Sequence, residues 1–311
     1  MKIPNGRLYT DNLDIVAYID RQNKLLSDVS FQYITKTVSA SESKIFKQKF
    51  FKKPSRIKGN AFAMLSGGLS SRGNYSHWLI DVLPRIHLLE KSGELSKIEK
   101  FIVPQFKQEF QKSSLALFDI RPSQIIECDN FTHLEIDNLY VSSHPRGVRS
   151  ILIPNWVYDF HSEIKEKAKS DHTYPKYIYV TRKDSSLRTI EHEDKLISEL
   201  SKYGFEALTL SEYSYQEKIN IFDQAEFIVS AHGAGLTNLL YSNPGTKLLE
   251  MFSEGFVDPF FLDMAYHRKL EYHYLIFKNP RATYDDQKGQ RENVIIDYSL
   301  FNRKLEEMLK G

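Results

Sequence analysis

The 311-residue chain has little of several things, and each shortage removes a class of protein. Its one cysteine, Cys128, rules out a disulfide within the chain and suits a reducing compartment. No window reaches the roughly 20 consecutive apolar residues of a membrane-spanning helix. The first residues, Met1-Lys2-Ile3-Pro4-Asn5-Gly6-Arg7, lack the apolar stretch of a secretory signal, so a soluble, cytoplasmic protein is expected. Charge of either sign is barely in excess: 42 Lys and Arg against 40 Asp and Glu, a net of +2, argue against a general nucleic-acid binder. There is no Asp-x-Asp, so the usual carboxylate pair for a metal-bridged nucleotide is missing. C-x-x-C, H-E-x-x-H, a Walker-type lysine loop and a G-x-S-x-G elbow are missing too, and neither a metal nor a covalent mechanism has support.

What remains is an ordinary globular composition, 41% hydrophobic and 26% charged, long enough for two domains. Residues 1 to about 60 mix short β-prone pieces (Leu13 to Ile19, Phe31 to Thr35) with basic loops. Lys44 to Lys58 is rich in cations, with Phe46, Phe50 and Phe51 between them. Peripheral contact with an anionic membrane is one reading of that stretch; a solvated face with some buried phenylalanine is the plainer one.

From Ala61 the pattern alternates. A helix is expected over 75–92, then strand 98–103, helix 106–118, strands 124–127 and 138–143, and helix 154–169. Tyr174-Pro175 marks a boundary between domains 1–173 and 174–311. Beyond it come strand 176–182, helix 191–203, strand 205–210, helix 214–224, strand 226–231, helix 235–241, strand 246–252, helix 258–268 and strand 271–277. A charged loop, strand 293–297 and a terminal helix close the chain, the helix packing back on the N-terminal domain. Strands alternating with helices indicate an α/β protein with parallel sheet.

The densest motif is His232-Gly233-Ala234-Gly235-Leu236-Thr237-Asn238, between the apolar runs Glu226 to Ser230 and Thr246 to Phe252. The glycines allow a sharp turn and close backbone approach. A helix opening at Leu236 then offers free N–H groups to a phosphate. His232 stands at a strand's carboxyl end, where open α/β sheets bind ligands. A second motif runs from Asn74 to Arg85. On a helix His77, Asp81 and Arg85 share one face, beside an apolar stripe of Trp78, Val82, Ile86 and Leu89, and Pro84 should kink that helix. A third cluster places Arg182 and Lys183 at another strand end and Arg188 before the next helix, cations suited to a diphosphate.

Together these motifs resemble glycosyltransferase family 61, over about residues 62 to 278. The resemblance rests on Asn74-Tyr75-Ser76-His77-Trp78-Leu79-x-Asp81-x-Leu83-Pro84-Arg85, on Tyr179-Val180-Thr181-Arg182, on Arg188-x-Ile190-x-x-Glu193, and on His232 to Asn238 followed by Pro244-Gly245 and Glu250. It implies a GT-B architecture, two Rossmann-like domains facing across a cleft, and metal-independent inverting transfer from a nucleotide sugar with no cofactor. By position, Arg182, Lys183, Arg188 and the loop His232, Gly233, Ala234, Gly235, Leu236, Thr237, Asn238 would hold the nucleotide diphosphate, and Glu250 the donor's ribose. Asn74 and Arg85 would line the acceptor cleft. His192, where the family has asparagine, and Lys218, where it tends to have glutamine, are departures that bear on base or sugar preference.

Inversion requires a base for the acceptor hydroxyl. Asp81 is the first choice; His77, one turn earlier, either orients it or is itself the base. The donor expected from the family is a uridine diphosphate sugar, and the acceptor a glycan or lipid-linked glycan of bacterial capsule or lipopolysaccharide, elongated at the inner face of the membrane. Two rival readings stand beside this one. A sugar-nucleotide epimerase or dehydrogenase would carry G-x-G-x-x-G with an acid about 20 residues on, which the His232 loop does not match. A non-catalytic polysaccharide-assembly subunit would need neither Asp81 nor the cations.

Overall fold

A computed structural model describes residues 1–11, 14–32, 43–129, 132–147 and 152–310. The β-prone positions Leu13 and Tyr33 to Thr35 lie outside the described residues. The chain forms two compact units, Met1–Phe160 and His161–Gly311. Their division falls thirteen residues before Tyr174, inside a helix, whereas the sequence places the boundary after residue 173.

The first unit contains β1 (Lys2–Thr10), β2 (Ile15–Ile19), β3 (Phe31–Gln32), β4 (Ser55–Ala63), α1 (Tyr75–His77), α2 (Arg85–Lys91), β5 (Lys100–Pro104), α3 (Glu109–Ala116), β6 (Ile125–Cys128) and β7 (Thr132–Val141). Helix α4 (Asn155–Ala168) runs across the division. The seven strands form one sheet in the order β3-β2-β1-β7-β4-β5-β6. Strands β7, β4, β5 and β6 are mutually parallel and carry the half-Rossmann order 3-2-1-4. Against β7 lies the antiparallel β1, followed by β2 and β3. The N-terminal unit is therefore Rossmann-like in one half and an antiparallel meander in the other. Nine-residue β1, broken by Pro4 and Gly6, has a run too irregular to read as a strand from sequence.

The helix expected over 75–92 is interrupted. Leu83 N–H bonds Trp78 C=O at 2.9 Å, an i→i−5 bond, so Trp78–Val82 is a π-turn between α1 and α2. Pro84 has no N–H to continue the ladder, and the wider turn lets Trp78 to Val82 all point into the core. Trp78 is anchored there by donation from Nε1 to Ser114 Oγ at 2.9 Å.

The second unit contains β8 (Tyr177–Val180), α5 (Glu193–Ser201), β9 (Glu206–Leu208), α6 (Tyr215–Gln224), β10 (Phe227–Ala231), β11 (Lys247–Ser253), α7 (Phe260–Arg268), β12 (Glu271–Phe277), α8 (Asp286–Gly289) and α9 (Tyr298–Lys310). Its five strands are all parallel, in the order β12-β11-β10-β8-β9. Numbered within the unit, that is the doubly-wound order 2-1-3-4-5 read from the other edge. Continuously buried runs such as Phe227–Ala231, apolar but for Ser230, are what an all-parallel sheet requires.

Two expectations change here. Segment 293–297 is not a strand but a single bridge between Val294 and Ile190, too short to join the sheet. The helix after Gly233 is a 3₁₀ helix over Ala234–Tyr241. The terminal helix α9 packs into the core of the second unit. Phe301, Leu305 and Met308, at i, i+4 and i+7, join Val229, Leu249 and Leu275 in one core.

Candidate active site

In the second unit, strand order reverses between β8 and β10, which is where a doubly-wound sheet leaves a crevice at its carboxyl edge. Arg182 follows β8 by two residues, and His232 directly follows β10. Arg182 Nη2 donates to Ser185 Oγ (2.8 Å) and to the Leu187 carbonyl (2.6 Å), while its buried Nε has no partner among the described residues. Arg188 donates from Nε to the His232 carbonyl (3.0 Å) and from Nη1 to that of Gln290 (2.7 Å), and its guanidinium lies 5.5 Å from the Phe256 ring. Burial first, and then the charge of nearby Arg182, lower its pKa to about 10. Arg182 is likewise lowered, by burial. Neither guanidinium forms an ion pair among the described residues, although both are mostly enclosed. Two close cations with no carboxylate at ion-pair distance among the described residues make a site that favours an anion.

The glycine loop is built around them. A side chain at residue 233 would collide with the Arg182 guanidinium, and one at 235 would press on Leu210 and Val180 at 3.1 and 3.4 Å. Ala234 and Gly235 are half-exposed and open the 3₁₀ helix, whose first N–H groups have no partner within it. The rest of the motif turns inward. Leu236 is core, Asn238 Nδ2 bonds the Gly235 carbonyl at 2.8 Å, and the Thr237 hydroxyl is buried with no partner among the described residues.

His232 sits in an aromatic box. Its ring stacks on Phe252 (5.3 Å between centroids) and meets Phe256 and Phe261. Its Nδ1 lies 2.7 Å from Glu250 Oε1, and Tyr272 donates to Glu250 Oε2 at 2.8 Å. Glu250 is fully buried, with one oxygen engaged by His232 and the other by Tyr272. Burial raises its pKa, against the two hydrogen bonds it accepts. Lys183 pairs instead with Asp194 at 2.9 Å in an exposed contact of the kind that contributes little. Glu193, in the family motif, buttresses the end of β8: its Oε1 accepts from Tyr179 OH (2.6 Å) and from the Arg182 N–H (2.8 Å).

The first unit has its own order reversal, between β4 and β7, and the second motif converges there. His77 Nδ1 lies 2.7 Å from Asp81 Oδ2. Arg146, five residues past β7, grips the same carboxylate with Nε to Oδ1 and Nη2 to Oδ2, each at 2.7 Å. His144 Nε2 lies 3.8 Å from Oδ1. Burial alone would raise the Asp81 pKa; the hydrogen bonds from His77 and Arg146, with the charge of Arg146, outweigh it and hold the carboxyl well below the usual range. An ionised carboxylate only accepts, so Nδ1 of His77 carries the proton of that contact. His77 is a third exposed, against 4% for Asp81.

Two residues expected in the cleft hold the scaffold instead. Asn74 caps α1, its Oδ1 accepting from the His77 N–H at 3.1 Å. Arg85 is buried, donating to Ser66 Oγ (3.0 and 3.3 Å), the Asp81 carbonyl (3.0 Å), and Ser142. It ties the two strand ends to the π-turn. His144 and Arg146 escaped the sequence reading although the signal was present: basic residues just past a strand's carboxyl end, the logic already applied to Arg182.

The chain matches the Glycosyltransferase 61 family over residues 75–249, a span that holds His77, Asp81, His144 and Arg146 of the first cluster and Arg182, Arg188 and His232 of the second. It belongs to that family. The chain is also similar to Beta-1,2-xylosyltransferase RCN11 of Oryza sativa subsp. japonica, 31% identical over 80 residues, which are 26% of this chain and 15% of that protein. With Beta-1,2-xylosyltransferase of Arabidopsis thaliana it is 34% identical over 85 residues, 27% and 16% of the two chains. It thus aligns with about a sixth of each plant protein. Among solved structures, a D-isomer specific 2-hydroxyacid dehydrogenase family protein from Klebsiella pneumoniae 342 aligns with 80% of this chain and 89% of its own, at 10% identity and a TM-score of 0.23. A likeness of that size fixes neither fold nor function. Among the described residues no helix is long and apolar enough to cross a membrane.

Proposed function

We propose that this member of the family is a metal-independent inverting glycosyltransferase. It takes a sugar from a nucleoside diphosphate sugar, uridine diphosphate being the first choice, and passes it to a glycan or lipid-linked glycan. The observation that carries the reading is the Arg182–Arg188 pair: two enclosed guanidiniums with no ion-pair partner among the described residues, at a sheet's switch point beside a glycine turn. The reading adopts a GT-B arrangement, with donor diphosphate on the second unit and the base on the first.

In this mechanism His77 Nε2 takes the proton of the acceptor hydroxyl as that oxygen attacks the anomeric carbon. The bond from that carbon to the diphosphate breaks, and the leaving group departs with the electron pair. Arg182, Arg188 and the N–H groups of Ala234 and Gly235 stabilise its negative charge. Asp81 acts through His77: an ionised, doubly clamped carboxylate is a poor base but a good orienter of an imidazole. Glu250 holds His232 in the same way. The two plant relatives are named for β-1,2 transfer, and a β linkage is what inversion at an α-linked donor yields. The wider setting, capsule or lipopolysaccharide assembly at the cytoplasmic face, follows the family resemblance.

Calorimetric titration with uridine, guanosine and cytidine diphosphates, each with and without EDTA, tests the proposal. One diphosphate bound tightly and equally in EDTA supports it. Binding that EDTA abolishes removes the metal-free mechanism, and no binding by any of the three removes the donor site.

A further inference from the structure

The cationic stretch after Ser43 turns its aromatic rings outward. Phe46 is 61% exposed, Phe50 86% and Phe51 41%, so the expectation of a solvated face with buried phenylalanine fails for these rings. Seven cations, Lys44, Lys47, Lys49, Lys52, Lys53, Arg56 and Lys58, lie within the same stretch, and no acidic residue occurs between Glu42 and Asp81. All seven are exposed. Lys44 pairs with Asp14 and Arg56 with Asp137, each at 3.2 Å; the other five have no ion pair among the described residues.

This segment is fastened down. Ile45 is buried against Tyr9, Ile15, Ala17 and Ile19. The Phe51 ring sets its edge on Tyr9 (5.2 Å), Gln48 Nε2 donates to Tyr9 OH (2.8 Å), and the Lys52 carbonyl lies 2.6 Å from His133 Nδ1. These ties present Phe46 and Phe50 to solvent on a fixed base. Three exposed rings within six residues of chain are unusual on a free surface. Set among lysines, they match an anionic bilayer: the rings enter at the headgroup level and the ammonium groups meet lipid phosphates. Because the chain's net charge is only +2, such attraction is local to this patch.

We propose that Ser43–Lys58 is a docking surface for an anionic lipid bilayer. Phe46 and Phe50 insert, and Lys47, Lys49, Lys52, Lys53 and Lys58 lie over the phosphates. The proposal concerns the first unit's surface and is independent of the transfer reaction.

The test is flotation of the full chain with vesicles of phosphatidylcholine alone, or of phosphatidylcholine and phosphatidylglycerol at two to one. The chain should partition onto the phosphatidylglycerol vesicles only, and less so as salt rises. Phe46→Ala with Phe50→Ala should weaken partition at least about tenfold, the scale of losing a buried ring. Lys47→Gln with Lys49→Gln should weaken it about 25-fold, near fivefold for each charge. Thermal melting should stay unchanged in both, since all four side chains are exposed. Failure to bind phosphatidylglycerol vesicles, or binding indifferent to the phenylalanine pair, overturns the proposal. Capture by a single-stranded oligonucleotide with the vesicles ignored overturns it in favour of nucleic acid.

Discussion

The guanidinium of Arg182 occupies the space that a side chain on residue 233 would need, so Gly233 and Arg182 form one structural unit. Gly233 itself is extended, with φ 174°, a conformation open to any residue. Glycine is required there for room, not for backbone freedom. Gly233→Ala should therefore displace the arginine and weaken uridine diphosphate binding by roughly 10- to 100-fold, the scale of a charged hydrogen bond. Arg182→Ala should do the same, and the double variant should be no worse than either alone. Calorimetry on the three variants measures this; additive losses would mean the two residues act separately.

A second prediction separates His77 from Asp81. With Asp81 held ionised by His77 and Arg146, a titration seen in the activity between about pH 5 and 8 is not Asp81's. His77→Gln should reduce kcat by roughly 10²- to 10⁴-fold with donor affinity nearly intact. Asp81→Asn should also lower kcat, by removing the acceptor that fixes the imidazole's tautomer. Full activity in His77→Gln would return the role of base to Asp81.

Glu250 offers a test of position against contact. With one oxygen on His232 and the other on Tyr272, its effect on the donor runs through the histidine. Glu250→Ala strands the buried His232 N–H and should cost about 1–3 kcal/mol of stability, with less from the half-buried Tyr272 hydroxyl. Glu250→Gln should leave the preference for uridine diphosphate over its 2′-deoxy form unchanged. A collapse of that preference in Glu250→Gln would instead place the carboxylate on the ribose.

Strand ends were legible in the sequence, and so was the chemistry at them. Runs such as Phe227 to Ala231 and Leu248 to Phe252 are buried throughout and apolar but for Ser230 and Glu250 because both faces are covered, and His232 and Ser253 mark where the sheet stops. Pairing across distance was not legible. Strand β1 bonds β7 across more than 120 residues, and nothing local in Lys2 to Thr10 announces an antiparallel neighbour. Arg85 looked like a cleft residue because i, i+4, i+8 spacing puts it beside Asp81. The π-turn changes that phase, and Ser66 and Ser142 draw the guanidinium into the interior. The partners of Glu250 were not legible for a related reason: His232 and Tyr272 lie on the two flanking strands or just beyond them.

His144 gives the first unit a dependence on pH. It is 15% exposed, stacked on Phe31 at 5.8 Å, and burial lowers its pKa to about 4 against the opposing charge of Asp81. In the unfolded chain a histidine binds its proton near pH 6.5. Between those values the unfolded state holds the proton and the folded state does not, so stability is fully present above about pH 6.5 and is lost as pH falls toward 4. The whole interval is worth about 3 kcal/mol, and about 2 kcal/mol of that is gone by pH 5. Asp81 acts in a different window: its lowered pKa contributes stability that is lost only below the ordinary carboxylate range, near pH 4. Urea unfolding at pH 7 and pH 5 isolates the histidine. In His144→Gln the difference between the two pH values should shrink by about 2 kcal/mol relative to the parent chain. An unchanged difference would mean that His144 takes up its proton in the folded state, and that the cluster around Asp81 admits an imidazolium at residue 144.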